Sequence, residues 1–203
     1  MIDTRARSKF DPMFDRSGGW LLKQKVSPNQ VTGAALTVGL SAAVVLFFGL
    51  PYPAVALLWF SGYLDAVDGS MARLSGKSNP FGAMLDIVSD RVVELSIFWA
   101  LALNHPESYP AMMGLVSTIV LTMTVFLTTG MLLGKSGKKS FYYQPGLMER
   151  TEGFIASTAM MLFQQWLVPL TWIYAALIGI TIIQRLLEAR KLMHEISDYK
   201  IFR

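Results

Sequence analysis

The chain has 203 residues, 53% of them hydrophobic and only 16% charged, with a formal net charge of +4. A soluble domain of this length has no use for so much apolar surface, so the composition excludes an ordinary water-soluble fold. The absence of cysteine excludes disulfides and thiolate metal sites.

Residues 1–30 come first. Phe10, Met13, Phe14, Trp20, Leu21 and Leu22 are interleaved there with Arg5, Arg7, Lys9, Arg16, Lys23 and Lys25. Such a mixture suits a segment lying on the cytoplasmic leaflet, apolar side down. It is not expected to be a cleaved signal peptide, because the apolar run behind it is long and lacks an A-x-A site. Pro12 and the pair Gly18 and Gly19 are expected to forbid one long helix.

Six apolar segments follow, most of them near the roughly 20 residues that cross a bilayer. They cover 31–50, 54–74, 81–103, 111–133, 152–164 with its flanks, and 167–186. Pro51, Pro53, Pro106, Pro110 and Pro169 fall at or near segment ends, where helices start or stop. The expected fold is an all-α integral membrane protein with six transmembrane helices. They form one domain over 31–190, with a cytoplasmic juxtamembrane segment at 1–30 and a cytoplasmic tail at 191–203.

The basic residues fix an orientation. All 18 Lys and Arg fall in residues 1–30, in 73–80, in 134–151, towards the C-terminus, or at Arg91, one turn inside the third segment. The connections near 50–53, 104–110 and 164–169 hold none. By the positive-inside rule both termini are expected to be cytoplasmic.

The same face receives the most informative residues. Asp65, Asp68, Asp86 and Asp90 lie in the second and third segments, where each carboxylate costs several kcal/mol unless neutralised. Helical spacing puts Asp65 and Asp68 one turn apart and makes Gly82, Asp86 and Asp90 a stripe. Packed together, two such helices would aim four carboxylates into one pocket. Hard oxygen ligands select Mg²⁺, Mn²⁺ or Ca²⁺, and two divalent ions would balance four negative charges. Paired ions of this kind serve displacement at phosphorus. Gly69 and Gly82 let a nucleotide approach the backbone, Ala72 is small, and Arg73 can grip a phosphate. Glu94 extends the stripe and is read as a hydrogen-bonding support rather than a ligand. His105 and His194 are expected to be solvent-exposed and silent.

The spacing is Asp65-x2-Asp68-Gly69-x2-Ala72-Arg73-x8-Gly82-x3-Asp86-x3-Asp90. It resembles the defining motif of the CDP-alcohol phosphotransferase family at every fixed position. A chance match is on the order of one in ten billion per starting position, which sets coincidence aside. The stretch Ser27-Pro28-Asn29-Gln30-Val31-Thr32 is similar to the one that opens the first span in many members. The resemblance implies transfer of a substituted phosphate from a CDP-linked donor to an alcohol, with CMP released. It implies Asp65, Asp68 and Asp86 as the main metal ligands, and Asp90 as general base close to the second metal. Two Mg²⁺ or Mn²⁺ ions per site are implied. Gly69, Ala72, Arg73 and Gly82 match positions that contact CDP, and Asn29 and Thr32 join them through the resembling stretch. A homodimer with the site open to cytoplasm and lipid is implied as well.

The acceptor is less legible. Lys135 and Arg150 fall between the fourth and fifth segments, and Arg185 near the cytoplasmic end of the sixth. In relatives with phosphorylated acceptors, basic residues in these regions hold the acceptor phosphate, so these three are the acceptor candidates. The expected reaction moves a phosphatidyl group from CDP-diacylglycerol or its ether counterpart to a phosphorylated polyol, in phospholipid synthesis. Transfer from a soluble CDP-alcohol to a lipid acceptor is the alternative. A cation transporter is disfavoured by the glycines, Ala72 and Arg73, and no nucleic-acid partner is expected. Residues 130–136 resemble a phosphate-binding P-loop, but they have one residue too few and follow a helix rather than a strand.

Overall fold

In a computed structural model of the chain, the structure describes residues 2–76, 80–133 and 146–201, with side chains from residue 10 to residue 193. Every regular element among them is helical. They are α1 (Ile2–Lys23), α2 (Pro28–Phe47), α3 (Pro51–Ser75), α4 (Pro80–Asn104), α5 (Tyr109–Leu133), α6 (Arg150–Leu162) and α7 (Leu167–Ile201). Short 3₁₀ turns at Pro106–Ser108 and Gln164–Trp166 lead into α5 and α7. Proline opens α2, α3 and α4, where its missing N–H costs nothing and its fixed φ suits the first turn.

Three stretches are long and apolar enough to cross a membrane by length and composition: Pro28–Phe47, Pro106–Leu133 and Gln164–Met193. The chain is thus a membrane protein with several apolar spans. Helices α3 and α4, at 25 residues each, reach about 37 Å and are long enough to cross. Their charged residues keep them out of the apolar class. Helix α6 has 13 residues and reaches about 20 Å, short of a bilayer's roughly 30 Å hydrocarbon core. The residues before it, 146–149, are not helical.

The described chain forms two compact units, one of them holding Arg5–Tyr109 and Ser157–Leu167. In this unit α2 packs on both α3 and α4. A Cβ on Gly39 of α2 would lie 2.4 Å from Val93 Cγ2 on α4 and 2.9 Å from Ser61 Oγ on α3. Only glycine lets these three backbones approach so closely. Ser61 Oγ donates to the Ala35 carbonyl at 2.7 Å and ties α3 to α2. Trp59 Nε1 donates to Thr158 Oγ1 at 3.0 Å and holds the end of α6.

Helix α1 corrects the expectation of a broken segment. It runs through Pro12 and both glycines as one helix of 22 residues. An internal proline costs about 3 kcal/mol, so something must offset it. Phe14, Leu21 and Leu22 pack against the buried cluster of Val31, Val67 and Met71. Gly18 is buried because a Cβ there would stand 3.0 Å from Met71 Cγ and 3.4 Å from Ser70 Oγ. The glycine that seemed to break the helix is its docking point on α3. Ser17 and Tyr63 hydroxyls meet at 2.7 Å, and Ser70 donates to Asp15. At the end of α1, Lys25 takes a φ of 62°, and the Val26 and Lys25 amides return to the Leu21 and Leu22 carbonyls. This closing motif usually carries glycine at the left-handed position.

His105 is half-buried rather than solvent-exposed. Its ring nitrogens lie 3.0 Å from Gln164 Oε1 and 3.2 Å from Glu107 Oε1. Asn104 donates to the Phe47 carbonyl at 3.0 Å. These polar groups fasten the ends of α2 and α4 that lie opposite the aspartates.

The other unit comprises Met1–Thr4, Pro110–Ala156 and Val168–Arg203. The Met148 amide donates to Thr181 Oγ1 and the Leu147 amide to Gln184 Oε1, both at 3.0 Å. The irregular backbone ahead of α6 thereby finds its partners on α7. Gly130 lies inside α5, while Gly134, Lys135 and Ser136 lie outside the described residues.

Candidate metal and nucleotide site

Asp65 and Asp68 lie on α3 and Asp86 on α4, and one ligand oxygen from each falls within 4.8 Å of the other two. Asp65 and Asp68 are buried, at 7% and 5% exposure, and Asp86 is half-buried. Three carboxylates so close repel one another by about 3–4 kcal/mol per pair at an effective dielectric near 20. The donor set is all hard oxygen, which fits a divalent cation of the Mg²⁺ or Mn²⁺ kind. Asp90 sits one turn further along α4, half-buried, and is not one of the three. Glu94 pairs with Arg91 on the same helix, which takes both into a local ion pair.

A Cβ on Gly69 would have ordinary clearance, with only Arg73 Nη1, at 3.7 Å, close among the described residues. Packing of the protein against itself therefore does not require glycine there. The bare backbone and the exposed Arg73 lie together. Ala72 and Gly82 are half-buried.

The stretch that opens α2 divides in two. Ser27 caps the helix, with its Oγ accepting from the Gln30 amide and the Gln30 side chain returning to the Ser27 amide at 2.8 Å. Asn29 is exposed on the first turn. Thr32 is buried, and its Oγ1 donates to Asp68 Oδ2 at 2.6 Å. The sequence held the residues of this contact but no sign of it, since the partners are 36 positions apart.

Of the acceptor candidates, Lys135 lies outside the described residues. Arg150 opens α6, half-buried, with its guanidinium 5.9 Å from the centre of the Phe154 ring. Arg185 is buried at 7% exposure; its Nη1 donates to Thr122 Oγ1 at 3.1 Å, and its guanidinium lies 5.0 Å from the Phe126 ring centre. A buried guanidinium needs such partners. Thr122 and Phe126, one turn apart on α5, were not legible as its cradle in the sequence. Both arginines belong to the unit that does not hold the aspartates.

Comparison with known proteins decides the family. The family description CDP-alcohol phosphatidyltransferase matches residues 25–183, which take in the whole of α2, α3 and α4. The chain belongs to the CDP-alcohol phosphatidyltransferase family. It is an enzyme, a transferase of phospholipid synthesis that passes a phosphatidyl group to an alcohol acceptor. The phosphatidylinositol phosphate synthase of Corynebacterium glutamicum is 31% identical over 178 residues, covering 84% of this chain and 81% of that protein. The archaetidylinositol phosphate synthase of Pyrococcus horikoshii is 29% identical over 188 residues, covering 93% and 96%. In fold the chain is similar to the crystal structure of the Mycobacterium tuberculosis phosphatidylinositol phosphate synthase with CDP-DAG bound. There the TM-score is 0.71 at 22% identity, over 88% of this chain and 94% of that one.

Proposed function

We propose that this phosphatidyltransferase moves the phosphatidyl group of a CDP-linked diacyl or ether lipid to a phosphorylated polyol, with inositol phosphate as the first candidate acceptor. The observation that carries the reading is the convergence of Asp65, Asp68 and Asp86 within the family's motif. The names of the relatives support the acceptor class.

In this reading Asp65, Asp68 and Asp86 hold divalent ions, with Asp90 beside them. When bound, two such ions supply charge neutralisation for the donor pyrophosphate and the leaving CMP. The chain's own residues do the rest. Arg73 grips a donor phosphate, and the bare backbone at Gly69 and Gly82, next to small Ala72, lets the CDP moiety lie close. Asn29 lies at the exposed rim of the nucleotide site, and Thr32, one turn on along α2, donates to Asp68. Asp90 takes the proton of the acceptor hydroxyl as that oxygen bonds to the phosphorus next to the lipid. The bond from that phosphorus to the CMP oxygen breaks in the same displacement. Lys135, Arg150 and Arg185 bind the acceptor phosphate.

The proposed setting is six crossings with both termini and the active site on the cytoplasmic side. A juxtamembrane segment at 1–30, a catalytic domain at 31–190 and a tail at 191–203 complete it, and the working form is a homodimer. CMP release from CDP-diacylglycerol, measured with inositol phosphate, glycerol 3-phosphate, inositol and serine, tests the function. Turnover is expected with a phosphorylated polyol. Efficient use of serine or inositol, with none of the phosphorylated acceptors, overturns the acceptor assignment. Replacing Arg150 or Arg185 by Ala should raise the acceptor KM far more than the donor KM, since a lost phosphate contact is mainly lost ground-state binding.

A further inference from the structure

We infer that Thr32 is a positioning residue for the metal centre: its hydroxyl orients the Asp68 carboxylate and is not a contact to the nucleotide. The inference rests on the proposed metal site and goes beyond it, since it reassigns a residue of the neighbouring helix. A threonine hydroxyl has one hydrogen. Two acceptors lie near Thr32 Oγ1: Asp68 Oδ2 at 2.6 Å and the Pro28 carbonyl at 3.2 Å. The shorter contact has the length of a charge-assisted O–H···O⁻ bond, roughly twice as strong as a neutral one. The hydrogen therefore goes to the carboxylate, and Thr32 has none to offer a ligand. Both residues are 5% exposed.

The stretch ahead of Thr32 reads as the device that delivers this hydroxyl. The capping box of Ser27 and Gln30 fixes where α2 begins, and Pro28 sets its first φ. Val31, beside Thr32, is buried in the cluster with Val67, which is itself the neighbour of Asp68. The cap sets the height of Thr32 along α2, and the Val31–Val67 packing sets its rotation towards α3. The six residues thus act on Asp68 through packing and one hydrogen bond.

The test uses the full chain, purified in detergent, with Mn²⁺ alone as the probe and no donor present. Free Mn²⁺ is read by electron paramagnetic resonance in Thr32→Val, Thr32→Ala and Thr32→Ser, with Asp65→Asn as a control. Loss of a hydrogen-bonding partner behind a metal ligand typically weakens metal affinity by about 10–100-fold. Thr32→Val and Thr32→Ala should both show a loss of that size. Thr32→Ser should stay within about threefold of the parent, because it restores the same donor. At saturating Mn²⁺ the donor KM of the Val and Ala variants should be unchanged. Parental Mn²⁺ affinity in both hydroxyl-free variants overturns the inference, and so does a raised donor KM with metal affinity intact. Two variants of different volume guard against one that fails to fold. If Asp65→Asn also binds Mn²⁺ like the parent, the metal-site reading itself is what fails.

Discussion

The residues of the site divide by what each can be asked to do. Asp65 and Asp86 belong to the three carboxylates whose oxygens lie within 4.8 Å, and neutralising either removes charge that holds a cation. Asp65→Asn and Asp86→Asn should each abolish Mn²⁺ retention and CMP release together. Turnover that survives in chelator, with no metal retained, would count against this. Asp90 stands apart on the next turn of α4, which suits a group that meets the incoming alcohol. Asp90→Asn should keep donor binding within a few-fold and lower kcat by about 10²–10⁴, the usual range for a general base. A donor-binding titration at low and high Mg²⁺ separates the two roles. Joint loss of donor affinity and metal dependence, rescued by excess metal, would make Asp90 a ligand instead.

At the scale of elements, much was legible because apolar runs and prolines mark helix bodies and helix starts. The run at 54–74 is the body of Pro51–Ser75, and 81–103 that of Pro80–Asn104. The aspartate motif was legible because its spacing matches two helical faces. What stayed hidden depends on partners far away in sequence. Pro12 and Gly18 read as breakers until α3 is seen receiving Gly18. His105 read as a loop residue until Gln164 is seen beside it. Gly39 gave no signal, because a glycine in an apolar helix has no side chain to betray its neighbour. Yet Gly39 sets the approach of three helices, and stiff Val93 cannot swing away. Gly39→Ala should therefore destabilise the protein by about 1–3 kcal/mol, the usual cost of overpacking. A denaturation series in detergent micelles reads this directly. An unchanged midpoint would mean that α2 and α4 can separate without cost.

For the whole molecule, charge placement and helix composition pull in different directions over α3 and α4. Each carries carboxylates and an arginine, so neither is apolar enough to count as a span by composition. Each is nonetheless about 37 Å long, and each joins a connection without Lys or Arg to the basic side of the chain. A carboxylate at the membrane surface costs far less than one at its centre. Asp68 lies in the last third of α3, with Asp65 one turn before it, and Asp86 lies in the first third of α4, towards the ends that the chain joins through residues 76–79. Both helices can cross with all four aspartates in the half of each helix that faces the basic side, Asp68 and Asp86 nearer that surface than Asp65 and Asp90. The absence of cysteine makes the test clean, because any introduced thiol is the only one present. With both helices crossing and the positive-inside rule obeyed, Glu107→Cys should react with a membrane-impermeant maleimide in intact cells. Lys77→Cys should react only after permeabilisation. Glu107 suits the outer position, with 65% of its side chain exposed at the start of the turn into α5. Labelling of both positions in intact cells would place α4 across no membrane at all, and the reverse pattern would turn the active site outward. In the expected arrangement the aspartates lie on the side of the membrane that carries the basic connections, where an anionic acceptor is drawn to them.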